Sequence, residues 1–135
     1  MRKSMLFTLA ALAFMGSLLL GTSYALAGCP YVQATYNLSQ NFGGQTLTLN
    51  QSGATISGTV YDGTGTPTSI SGSLSCPDFG PATISFTRFG SGFTQQFTGT
   101  IVPSCPRPGV ACTAALLYGR FSHNGSGAYG WYAAR

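Results

Sequence analysis

From residue 45 to residue 131 the chain alternates apolar and hydroxyl-bearing positions. Leu47 and Leu49, Ile56 and Val60, Ile70 and Leu74, Ile84 and Phe86, Phe97 and Ile101, Leu117 and Phe121, and Tyr129 and Trp131 lie two or four residues apart. Between them stand Thr46, Thr48, Ser57, Thr59, Ser69, Ser71, Ser73, Thr83, Ser85, Thr98 and Thr100. A period of two is that of a strand with one face buried, and no stretch carries a helical period. The pattern divides into about eight segments, 31–37, 45–51, 54–62, 68–75, 82–89, 93–102, 111–122 and 127–135. Each is bounded by turn residues such as Ser52-Gly53, Gly90-Ser91-Gly92 and Asn124-Gly125. Short connections make successive strands antiparallel neighbours, which predicts an up-and-down meander. A sheet with one apolar face must cover it, and closing into a barrel does so while removing both edges. The expected fold is all-β, an antiparallel eight-stranded up-and-down barrel forming one domain over residues 28–135; an open sandwich is the alternative.

A short repeat runs through this pattern. Ile56-Ser57-Gly58-Thr59-Val60, Ile70-Ser71-Gly72-Ser73-Leu74, Phe97-Thr98-Gly99-Thr100-Ile101 and Leu117-Tyr118-Gly119-Arg120-Phe121 each place a glycine in mid-strand. Glycine there costs stability, so its recurrence needs a cause. Sharp coiling around a small barrel is the favoured cause, and space for an internal ligand is the functional one.

The first residues do not belong to the barrel pattern. Arg2 and Lys3 precede an almost wholly apolar run from Met5 to Leu20 and a small-residue region, the layout of a secretory leader over residues 1–27. Retention as a membrane helix is the alternative, although the run is short and lacks a basic stop-transfer cluster. Ala25-Leu26-Ala27 suits ordinary signal peptidase, whereas Leu26-Ala27-Gly28-Cys29 resembles a bacterial lipobox that would anchor the chain by lipid at Cys29. The polar spacer Gly21-Thr22-Ser23-Tyr24 favours the first route and a secreted or periplasmic protein. Without the leader, Arg88, Arg107, Arg120 and Arg135 stand against Asp62 and Asp78, a net charge of +2 with no Lys or Glu. Four scattered arginines form no basic stripe, so nucleic acid is not an expected partner.

Cysteine number bears on the same question. Cys29, Cys76, Cys105 and Cys112 form an even set suited to two disulfides in an oxidising compartment. Cys105 ends one predicted strand and Cys112 begins the next, with Pro106-Arg107-Pro108-Gly109 between them, which brings the two within disulfide reach. That pairing leaves Cys29 for Cys76.

Three stretches, Ile56-Ser57-Gly58-Thr59-Val60, Ile84-Ser85-Phe86-Thr87 and Phe97-Thr98-Gly99-Thr100-Ile101, resemble the strands of the avidin and streptavidin family, eight-stranded barrels that hold biotin. The similarity extends over most of residues 28–135 and implies an avidin- or lipocalin-like barrel. Tyr36 stands at the family's first-strand tryptophan, Val60 at the tyrosine of its Thr-Gly-Thr-Tyr-like stretch and Phe97 at the tryptophan of its Trp-x-Gly stretch. Asn37 and Ser39 match in type at a different spacing. The biotin contacts are thus not carried over, and tight biotin binding is not expected. The ending Gly130-Trp131-Tyr132-Ala133-Ala134-Arg135 also resembles that of many small exported bacterial barrels.

Catalysis finds little support. With Asp62 and Asp78 in turns, His123 beside the turn Asn124-Gly125 and no motif that presents a nucleophile, no enzyme activity, cofactor or metal site is expected. The sequons at Asn37, Asn50 and Asn124 matter only in a eukaryotic secretory route. Hydroxyl-rich strand faces raise ice or polysaccharide binding, but Thr is common on strands for its β propensity alone. The expectation is a binding module for a small apolar or aromatic ligand, with Tyr36, Phe86, Phe97, Phe121, Tyr129 and Trp131 as the ligand-binding residues. The alternative is an envelope interaction protein or an inhibitor of an exported enzyme, with a fully packed barrel.

Overall fold

A computed structural model describes residues 29–41 and 43–135. The leader expected over residues 1–27 lies outside the described residues. Eight strands follow one another: β1 Ala34–Gln40, β2 Gly43–Ser52, β3 Thr55–Tyr61, β4 Thr68–Ser75, β5 Thr83–Gly90, β6 Phe93–Ser104, β7 Thr113–His123 and β8 Ser126–Ala134. Each pairs antiparallel with the next, and β8 returns to β1 through pairs such as Leu38 with Ala133, closing the barrel. The predicted topology is therefore observed, and closure leaves no unpaired edge for another chain to extend.

The alternation seen in the sequence maps onto the inside of this barrel. Leu47, Leu49, Ile56, Val60, Ile84, Phe97, Ile101 and Leu117 are all buried in one cluster. The turns obey their residues: Asn124 (φ 49°) and Gly125 (φ 76°) both adopt positive φ, the pair of conformations that a two-residue hairpin turn with the right twist requires. Pro103 cannot donate to the ladder, and the β6–β7 register shifts between Val102 and Pro103.

One strand is displaced from its predicted place. The first segment was expected over 31–37, whereas β1 runs Ala34–Gln40. Residues 29–33 instead form a strap across one end of the barrel. The Tyr31 amide donates to the Cys112 carbonyl and the Ala114 amide donates to the Tyr31 carbonyl, while Val32, wholly buried, accepts from the Tyr36 hydroxyl at its carbonyl. Val32, Ala34 and Tyr36 keep one phase through strap and strand, so alternation alone could not separate the two. Both predicted disulfides are present at this end, Cys29–Cys76 with Cα atoms 5.3 Å apart and Cys105–Cys112 with Cα atoms 4.3 Å apart.

The repeated glycines have a packing cause. A Cβ on Gly119 would collide with the Thr98 carbonyl, and one on Gly72 would lie 2.6 Å from the Phe86 Cα. At Gly99 the added atom would sit 2.7 Å from Cζ2 of Trp131, whose indole Nε1 donates to the carbonyls of Thr98 and Arg120 at 3.1 Å each. These glycines let neighbouring backbones and the indole close in.

Candidate functional site at the open mouth

The end opposite the strap carries the β1–β2, β3–β4, β5–β6 and β7–β8 connections, and its inward residues are polar. Cross-strand registry explains the change. Phe86, Phe97 and Phe121 are successive partners across β5, β6 and β7, and one inward position nearer the mouth Arg88, Gln95 and His123 are partners across the same strands. A polar row thus lies directly above an aromatic row.

The aromatic row is closely packed. Phe86 stacks on Phe97 with ring centroids 4.7 Å apart, and Phe97 stacks on Phe121 at 4.9 Å. Trp131 meets Phe86 and Phe97 edge-on at 5.7 and 5.5 Å, and Tyr129 tilts against Phe121 at 5.3 Å. Five of the six residues expected to bind a ligand are therefore brought together. Tyr36, the sixth, is buried within the same core and hydrogen-bonds to the strap. All but the partly exposed Tyr129 are buried, and side-chain contacts rather than open space surround the stacked rings.

Above that floor, Gln45, Asp62, Thr64, Arg88, Phe93, Gln95 and His123 line a cleft of about 540 Å³. Arg88 is only 4 % exposed and Gln95 3 %, the two buried polar side chains among the described residues. The Arg88 Nε donates to the Thr68 hydroxyl at 2.7 Å, and Nη1 donates to Oε1 of Gln95 at 3.1 Å and of Gln45 at 3.3 Å. The Thr68 hydroxyl in turn donates to the Val60 carbonyl at 3.0 Å. The guanidinium also lies over the Phe93 ring, 5.2 Å from its centroid, and Phe93 stacks on the His123 imidazole at 5.5 Å.

An arginine only donates, so it dictates how its neighbours are oriented. Gln95 must turn Oε1 toward Arg88, which leaves its Nε2 facing Nδ1 of His123 at 3.2 Å. That contact requires Nδ1 to accept, placing the proton of a neutral ring on Nε2. Gln45 likewise presents Oε1 to Arg88 and accepts there from Nε2 of Gln40 as well.

Burial sets the electrostatics of the mouth. Desolvation lowers the pKa of Arg88, countered by attraction to Asp62. Asp62 sits at the exposed rim, where the amide and hydroxyl of Thr64 hydrogen-bond Oδ1 and hold its pKa below the ordinary carboxylate value, with a smaller contribution from Arg88. Among the described residues no carboxylate comes within ion-pairing distance of Arg88, which is met by neutral acceptors and one aromatic face.

No protein-family model, curated protein or solved structure matches the chain. The site must be interpreted from its own geometry. Sequence reasoning missed Arg88, Gln95, Gln45, Thr68 and Phe93. The signal was their phase: Arg88 stands two residues after Phe86, and Gln95 two before Phe97, on the face the alternation assigns to the interior.

Proposed function

We propose that the protein is an exported small-ligand-binding barrel that receives its ligand at the open mouth, in the cleft above the stacked aromatic residues. The observation that supports this reading most is the 540 Å³ cleft in which a buried arginine, two glutamines and a histidine converge beside the flat Phe93 ring. Convergent polar groups above an apolar floor are the usual make-up of small-molecule sites. Tyr36, Phe86, Phe97, Phe121, Tyr129 and Trp131 serve as that floor and its supports, and the ligand has a flat apolar or aromatic body.

The likeness to the avidin family supports a shared barrel architecture without a biotin site. Tyr36, Val60 and Phe97, which stand at the positions of that family's contacts, are buried in the core. Export as a free protein is supported by the leader pattern and by the Cys29–Cys76 bond, which occupies the sulfur that lipidation would need. No helix among the described residues is long and apolar enough to cross a membrane.

A screen of fluorinated aromatic fragments against isotope-labelled protein tests the reading. Amide and side-chain shifts should cluster at Gln45, Arg88, Phe93, Gln95 and His123. Binding fragments whose shifts cluster elsewhere would overturn it.

The alternative, an interaction protein, has one observation of its own. Phe79 is 94 % exposed on the β4–β5 connection between Pro77 and Pro81, next to the Cys29–Cys76 link. An aromatic side chain held out by a stiff loop suits insertion into a partner's pocket. Concentration-dependent association abolished by Phe79→Ser, seen by sedimentation, would favour this role; a monomer at all concentrations would argue against self-association.

A further inference from the structure

A guanidinium has five N–H donors. Three hydrogen bonds engage Nε and Nη1, and Nη2 has no hydrogen-bond partner among the described residues. The side chain is nevertheless 96 % buried, taking its exposure of 4 % from the whole. Arg88 lines the cleft, its hydrogen bonds go to neutral acceptors, and the charge acting on it, Asp62, stands at the rim beyond ion-pairing distance, so the guanidinium can still take an anionic partner.

We infer that Arg88 is the anchor for a carboxylate group, and that the ligand of this site is an aromatic monocarboxylate. The inference rests on the mouth being the binding site. With Nε and Nη1 already engaged, the two N–H groups of Nη2 remain for a carboxylate, which accepts there through charge-assisted hydrogen bonds. One negative charge fits better than two. Asp62 lines the same cleft and repels anions; for a phosphate dianion the attraction to Arg88 and the repulsion from Asp62 both double, while the cost of desolvation rises roughly as the square of the charge. The aromatic body follows from Phe93 and His123, whose stacked rings give a flat wall of the cleft beside the guanidinium. The two glutamine oxygens that accept from Nη1 hold the fork in place. They therefore position Arg88 and leave ligand contact to the guanidinium itself.

Asp62 also makes the inference testable by a change that spares the fold. It sits at the exposed rim, and asparagine can keep the hydrogen bonds from Thr64. Removing its charge should strengthen binding of an anion, and 1 M salt should shrink the difference.

The experiment is titration calorimetry of the folded, disulfide-bonded protein with 2-naphthoate, 2-naphthamide and 2-naphthyl phosphate as probes. Naphthoate should bind at least about 10-fold more tightly than the neutral amide and more tightly than the phosphate, since charge-assisted hydrogen bonds exceed neutral ones. Arg88→Gln should weaken naphthoate by about 10- to 100-fold and leave naphthamide little changed. Arg88→Lys, which keeps the charge without the fork, should fall between. Asp62→Asn should tighten naphthoate a few-fold, and this arm decides the matter should the Arg88 variants fail to fold. Equal binding of naphthoate and naphthamide would overturn the carboxylate inference and leave the mouth as the site. Tighter binding of the phosphate would overturn the single-charge argument. Binding of none of the three would overturn the inference, while the fragment screen separately decides whether the mouth is a site at all.

Discussion

Removing the two disulfides one at a time should cost different amounts, and the difference follows from where they sit. Cys29–Cys76 closes a loop with a sequence separation of 47, and Cys105–Cys112 one with a separation of 7. In the chain-entropy model those lengths correspond to about 4 and about 2.5 kcal/mol at 25 °C. The longer link has a second role, because it holds the strap that buries Val32 under the closed end. If the strap detaches once Cys29 is free, exposure of Val32 adds about 1.5 to 3 kcal/mol. The pair Cys29→Ser with Cys76→Ser is therefore predicted to lose about 4 to 7 kcal/mol, against about 2.5 for Cys105→Ser with Cys112→Ser. Urea unfolding followed by tryptophan fluorescence measures this directly through Trp131, the only tryptophan. With a slope of about 1.5 kcal/mol per molar urea, the two midpoints should differ by about 1 M or more. Equal midpoints, or a larger loss from the Cys105–Cys112 pair, would refute both the entropy argument and the structural role given to the strap.

Three further outcomes follow from the core and the mouth. Gly119→Ala should destabilise the barrel by about 1 to 3 kcal/mol or more in thermal unfolding, because the added methyl meets the Thr98 carbonyl, whereas Gly130→Ala, with nothing within 4 Å of its Cβ, should change little. Phe97→Ala should cost about 3 to 5 kcal/mol, since its ring contacts Phe86, Phe121 and Trp131 at the centre of the aromatic row. Tyr36 has its pKa raised from 10.0 by burial, partly opposed by Arg135, so its contribution to stability is present below about pH 10 and is lost as the pH rises through the folded value; absorbance titration should show one tyrosine ionising late, together with unfolding.

Strand phase was legible because a barrel imposes one rule on every strand: inward positions are apolar and recur every second residue. Leu47 and Leu49, or Ile84 and Phe86, can satisfy it in only one phase. The disulfides were legible for a related reason, since an antiparallel order of strands places Cys105 beside Cys112 without further information. The mouth was hidden by the same rule. Arg88, Gln95 and Thr68 occupy inward positions but are polar, so an alternation that equates inside with apolar ends one inward position, two residues, too early. Only the registers between β4, β5, β6 and β7 bring Thr68, Arg88, Gln95 and His123 within reach of one another, and register depends on hairpin geometry. The Asn124-Gly125 turn sets the β7–β8 register at His123 and Ser126, yet that register shifts between Phe121 and His123, and the β6–β7 register shifts between Val102 and Pro103.

The most direct test of the account is a crystal structure of the protein soaked with 2-naphthoate. The predicted result has the carboxylate on Arg88 Nη2, the ring system against Phe93 above the Phe86–Phe97 stack, and the strap unmoved. A naphthoate wedged among Phe97, Phe121 and Trp131 with those rings displaced, or bound on the outer wall with an empty mouth, would contradict it.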